Sequence, residues 1–141
     1  MSSLLVMHDD QKIELNVGKW PKWVWYQLDK CWHRDGPNCW NTTYKWFNPE
    51  AKIQYTNRDR MVAWLERKTK VTKRLEFGSI LVWWSPNPCW FDERDLIHTA
   101  VYLGQSKVFH KEGFRSKYTW EVVDMDKTNF GKHTEIRRYI G

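Results

Sequence analysis

The stretch from Ile97 to His110 constrains this chain more than any other. Ile97 to Leu103 and Lys107 to His110 are strand-forming runs flanking Gly104-Gln105-Ser106, and so short a connection predicts a β-hairpin. Loop length decides which side chains share a face, because a slip of one residue turns every side chain over. With a three-residue loop, Leu103 pairs with Lys107 and His110 pairs with Ala100, whose side chain shares a face with His98. The two imidazoles become diagonal neighbours, roughly 7–8 Å apart at the backbone, with only the small Ala100 between them. A two-residue loop would send one histidine to the other face.

The rest of the chain supplies partners for this hairpin. Lys12 to Val17 alternates polar and apolar like a half-buried strand ended by Gly18, and Pro21 opens a helical turn over the aromatic segment Trp23 to Leu28. Asn38 is a capping residue for a helix starting at Cys39-Trp40. Trp40, Tyr44 and Phe47 mark its buried face, and Asn48-Pro49 stops it. Thr56 is the expected cap of a second helix, with Asp59 in its first turn and Met61, Trp64 and Leu65 on its inner face. Ile80 to Trp84, Tyr118 to Val123 and Glu135 to Ile140 read as further strands. Helices first and strands after predict an α+β fold with an antiparallel sheet.

At 141 residues the chain has the length of one domain, 1–141, and no linker or repeat divides it. With 41% apolar and 28% charged residues it is neither low-complexity nor disordered. No run of about 18 apolar residues is present to span a membrane. Met1 to Asp10 lacks the basic region of a secretory signal, so a cytoplasmic location or export by a specialised route is expected. The formal net charge of +6 suits an anionic partner. Eleven tryptophans serve either a packed core or a groove for an extended ligand.

Three cysteines, Cys31, Cys39 and Cys89, cannot all pair within one chain, which argues against a disulfide scaffold. Cys39 alone falls at a predicted helix start, where unpaired N–H groups and the helix dipole favour a thiolate and can also receive an oxyanion. A nucleophilic cysteine needs a base, and the base needs a group to fix its ring. His98 and His110 are placed for those two roles. Cys31, His33, Cys39, Cys89, His98 and His110 hold enough nitrogen and sulfur for zinc, but no Cys-x-x-Cys or His-Glu-x-x-His spacing is present, so no metal site and no cofactor are expected.

The segment His98-Thr99-Ala100-Val101-Tyr102-Leu103-Gly104-Gln105-Ser106-Lys107-Val108-Phe109-His110 resembles the catalytic histidine strand, turn and following strand of the NlpC/P60 cysteine peptidases. Phe77 to Ser85 is similar to the family's strand entering the active-site loop, and Asn38-Cys39-Trp40-Asn41 stands where the family has Asp-Cys-Ser-Gly. The resemblance implies a papain-like fold with N-terminal helices packed on a central antiparallel sheet. It makes Cys39 the nucleophile, His98 the general base and acid, and His110 the group that orients His98. It gives Tyr26, 13 residues before Cys39, an oxyanion role. Trp40 and Trp90 are then candidates for substrate contacts.

The substrate that the resemblance implies is a peptidoglycan peptide, cut at a γ-D-glutamyl bond, or another peptide. An immunity or inhibitor protein is the protein partner that an injected enzyme of this kind calls for. A related thiol acyltransferase or deamidase shares the thioester step. The alternative is a non-enzymatic module holding single-stranded nucleic acid through exposed tryptophans and the basic stretch Arg58 to Arg74, which has seven Lys or Arg against two acids. Nucleic acid is not the expected partner, because such a run usually forms a solvated face.

Overall fold

The computed structural model describes residues 3–8, 11–85 and 95–141. Two strands, β1 (Ser3–His8) and β2 (Gln11–Asn16), form an antiparallel pair. Three helices follow: α1 (Lys22–Gln27), α2 (Cys39–Phe47) and α3 (Arg58–Lys68). The main sheet contains β3 (Thr69–Val71), β4 (Ile80–Trp84), β5 (Leu96–Gly104), β6 (Lys107–Lys111), β7 (Trp120–Asp124) and β8 (Glu135–Tyr139), in the spatial order β3-β8-β4-β5-β6-β7. All its pairings are antiparallel. The α+β expectation holds at this level, with a hairpin ahead of the helices.

Local chemistry explains why α2 starts at Cys39. The Asn38 side-chain oxygen accepts from the Asn41 N–H at 2.9 Å, and its amide nitrogen donates to the Thr56 carbonyl at 2.9 Å. The first bond caps α2; the second ties its start to the approach to α3, and a carboxylate in this position would lack that donor. Thr56 therefore serves as a tether, and Asn57 caps α3 by accepting from the Arg60 N–H. The expected Thr56 cap is corrected by one residue. Two α2 threonines then dock the helix on the sheet: Thr42 accepts from the Trp120 indole at 3.0 Å, and Thr43 accepts from the Thr99 hydroxyl at 2.8 Å.

Both faces of the main sheet are covered. On the helix side, Val101, Leu103, Phe109 and Trp120 pack with Trp46 of α2 and with Leu15 and Val17 around β2, while Ile80, Val82, Trp84 and Leu96 pack under α3. On the other side, Leu81, Trp83, Ala100 and Val108 lie beneath Met125 and Phe130 from the segment between β7 and β8. Tryptophan serves mainly packing: Trp20, Trp46, Trp64, Trp83, Trp84 and Trp120 are buried, and Trp25 alone among the described tryptophans is exposed. Exposed aromatic surface among the described residues is carried mainly by tyrosine and phenylalanine, Tyr26, Tyr55, Phe77 and Phe114.

The turn between β5 and β6 differs from its expectation in a way that preserves the outcome. Gly104 belongs to β5 and pairs with Lys107, leaving a two-residue turn of Gln105 and Ser106 with φ of 51° and 62°. Both residues are left-handed, the geometry whose twist suits a two-residue hairpin. Alone, this turn would turn one histidine over. A bulge between Tyr102 and Gly104 absorbs one residue, so Val101 pairs with Phe109 and Tyr102 with Val108. The parity that a three-residue loop requires is restored, and both histidines stay on one face.

Candidate active site

His98 and His110 meet beneath the β7–β8 connection. His98 Nε2 and His110 Nδ1 are 2.7 Å apart, and His110 Nε2 lies 3.0 Å from Glu121 Oε1 on β7. Glu121 is paired directly opposite His110 in the sheet, so the backbone register itself delivers the carboxylate. The hydrogen-bond chain fixes the tautomers. A carboxylate oxygen accepts, so His110 carries its proton on Nε2 and accepts at Nδ1; His98 then donates from Nε2. His98 Nδ1 is left with its lone pair, buried and without a partner.

The surroundings of His98 favour the neutral ring. It is fully buried, stacked at 3.9 Å between centroids on Phe130, and met edge-on by Trp83 at 5.2 Å. Burial, and then the neighbouring His110, hold its pKa well below the usual imidazole value. The uncharged imidazole has a free nitrogen that can accept a proton, while the burial that keeps it neutral also makes it a weaker base than a solvated histidine.

Cys39 is the first residue of α2, as the sequence predicts, and its thiol is unpaired. Its ionisation is where the expectation is corrected. The helix start does not activate the thiol, because burial pushes it up from 9.0 to about 12. Backbone N–H groups of Thr99, Trp40 and Cys39 itself, and then the charge of Lys111, oppose that rise without cancelling it. Thr99 is the link between the two halves. It is the residue after His98, its backbone reaches the Cys39 thiol, and its side chain is turned to α2 while that of His98 is turned to Phe130. No hydrogen bond joins Cys39 to His98 among the described residues.

The remaining expected site residues separate. Tyr26 sits on α1, is 68% exposed and makes no hydrogen bond among the described residues. Trp40 is half-buried and packs against the cluster of Met61, Trp64 and Leu65. Trp90, Cys89 and the Pro-rich loop at 86–88 lie outside the described residues. Two surface depressions, of ≈ 460 Å³ beside Arg58, Glu66 and Arg137 and of ≈ 300 Å³ beside Leu15, Phe77 and Gln105, are lined by neither Cys39 nor His98.

Sequence reasoning missed Glu121, Phe130 and Lys111. Glu121 had a usable signal: extending the hairpin logic to β6 and β7 sets it opposite His110. Phe130 had none, since it arrives on an irregular connection. Among the described residues, no three His, Cys, Asp or Glu side chains converge as ion ligands. Comparison with protein-family models, with curated proteins and with solved structures found no match to this chain.

Proposed function

We propose that the protein is a cysteine hydrolase of the NlpC/P60-like, papain-like kind, cleaving a peptide or amide bond through a thioester. The observation that supports this reading is the unpartnered Nδ1 of His98 at the end of the Glu121–His110 chain, on the strand whose other face receives the start of α2 at Cys39. In the proposed reaction His98 is the base for the thiol. Because its ring and Cys39 lie on opposite faces of β5 in this structure, the step requires the ring to leave Phe130 and reach the α2 side. The thiolate then attacks the substrate carbonyl to form a tetrahedral oxyanion. The N–H groups at the start of α2 receive that charge. Collapse forms the thioester and breaks the carbon–nitrogen bond, with His98 returning the proton to the departing amine. Water, deprotonated by His98, then releases the acid and restores the thiol.

The thiol's rise from 9.0 to about 12 makes the thiolate roughly 4 kcal/mol harder to form. Turnover therefore depends on the groups that favour the anion. The substrate proposed from the family resemblance is a γ-D-glutamyl-linked wall peptide. Supplying such peptides and purified peptidoglycan to the wild type, and resolving products by mass, tests the assignment. Cys39→Ala and His98→Ala should each abolish cleavage while folding is retained. Undiminished cleavage by Cys39→Ala removes the nucleophile assignment.

A further inference from the structure

Three loops meet at the start of α2: the one leading into Asn38, the one that ends at Thr56, and the connection from β6 to β7. Each is tied down by polar groups, and the side chains that hold the last two are buried. Asn38 donates to the Thr56 carbonyl at 2.9 Å and Asn41 accepts from the Gln54 N–H at 3.4 Å, so the backbone is held on both sides of Tyr55. The Lys111 ammonium, wholly buried at the end of β6, donates to the carbonyls of Gly113 at 2.7 Å and Arg115 at 2.9 Å, one on each side of Phe114. The Phe114 carbonyl itself accepts from the Gly36 N–H at 2.9 Å. Burying an ammonium and two amides is costly unless their bonds are made. What those bonds hold in place is exposed: Tyr55 is 53% and Phe114 44% accessible. The two rings stand at right angles with centroids 6.5 Å apart, and the Arg115 guanidinium lies 5.4 Å from the Phe114 centroid.

A right-angled pair leaves a corner in which one apolar side chain touches both rings, and a backbone fixed in advance lowers the entropy lost on binding. The charges on these loops have one sign in excess. Arg34, Lys52, Arg115 and Lys117 are exposed, and none pairs with a carboxylate among the described residues. Asp35 already accepts from the Ser116 N–H at 2.8 Å, and Glu112 from the Asn129 amide. We infer that Tyr55, Phe114 and Arg115 form a recognition site for an acidic peptide segment, with an apolar side chain seated in the corner and a neighbouring carboxylate held by the guanidinium. Gly36 stands three residues before Cys39, a span of at most about 11 Å, and Thr56 is bonded to Asn38 directly before it. A peptide on this site therefore reaches the start of α2 within about five of its own residues. That the peptide is the substrate rests on the proposed cysteine chemistry; the binding does not.

The test reads binding to the full chain, without turnover. The synthetic peptide Glu-Glu-Phe-Glu-Glu is titrated into isotope-labelled protein and followed by NMR of the backbone amides, with saturable shifts expected at residues 54–56 and 113–116. Phe114→Ala and Tyr55→Ala should each raise the dissociation constant at least about tenfold, and Arg115→Gln about fivefold. Phe77→Ala, which removes an exposed ring elsewhere, should leave it within about twofold. With the wild type alone, Glu-Glu-Ala-Glu-Glu should bind at least about tenfold more weakly. An absence of saturable shifts, shifts centred away from these loops, or equal binding of Lys-Lys-Phe-Lys-Lys overturns the inference. Chitotetraose probes the competing occupant, a sugar ring stacked on the aromatics, and its binding in place of the peptide overturns the peptide assignment. Peptide binding in a protein that cleaves nothing supports the site while removing the hydrolase reading. Peptide cleavage with KM unchanged in Phe114→Ala overturns the site and leaves that reading standing.

Discussion

The two faces of β5 solve opposite electrostatic problems one residue apart. On the Phe130 side, His98 is an uncharged base whose Nε2 meets His110, which leads outward to Glu121. On the α2 side, Cys39 is an uncharged acid whose burial outweighs the backbone groups that favour its anion, and the buried Lys111 ammonium donates to the carbonyls of Gly113 and Arg115. A strand can host both because successive side chains leave it on opposite faces.

The strongest way to break this comparison is to remove the base. His98→Ala should lower kcat/KM by about 10³-fold or more at neutral pH, and steady-state cleavage of a peptide substrate measures it. A residual rate within about tenfold of wild type would reduce His98 to a packing residue. Next, Trp120→Ala should cost about 3–5 kcal/mol in urea unfolding, because it deletes a fully buried ring and the bond that seats Thr42. A loss below about 1 kcal/mol would mean that α2 is held in some other way.

The pH dependence of stability separates the two faces. His98, held well below 6.5, must stay neutral in the fold, so the unfolded chain binds more protons in acid and stability falls as pH drops below 6.5. Cys39, raised from 9.0 to about 12, must stay protonated, so the unfolded chain loses its proton first and stability falls as pH rises above 9. The alkaline loss should reach about 2 kcal/mol by roughly pH 10.5 and vanish in Cys39→Ala, while His98→Gln should flatten only the acid limb. Denaturant unfolding across pH reads both, and a single variant that flattened both limbs would merge the two problems into one. The smallest effect belongs to Glu121→Gln, expected to lower kcat about tenfold with KM and thermal stability unchanged. A change in KM instead would make Glu121 a substrate contact.

Much of the frame was legible because it is local. Asn38 before Cys39 and Asn48-Pro49 after Phe47 bound α2 through caps and breakers that act within a few residues, and the apolar run Ile80 to Trp84 can hardly be anything but a buried strand. The histidine pair was also reached, although by an arithmetic that differs in detail: one loop residue in the expectation became one bulge residue in the molecule. What could not be read depends on contacts distant in the chain. Lys70 and Val71 continue a basic helix in sequence, yet they form β3 because β8 is there to receive them. The thiol's ionisation was misjudged because a helix start reports only its own N–H groups, whereas the burial that outweighs them comes from β5 and β6 packing across it.

The bulge between Tyr102 and Gly104 gives the turn an unexpected authority. A slip of one residue in the β5–β6 register, with the turn kept at two residues and the bulge in place, would exchange the occupants of β6. His110 would be driven among the tryptophans under α2, and Lys111 would be delivered to the ring of His98. The hairpin tip, remote from both rings, thus sets which face of the sheet carries His110.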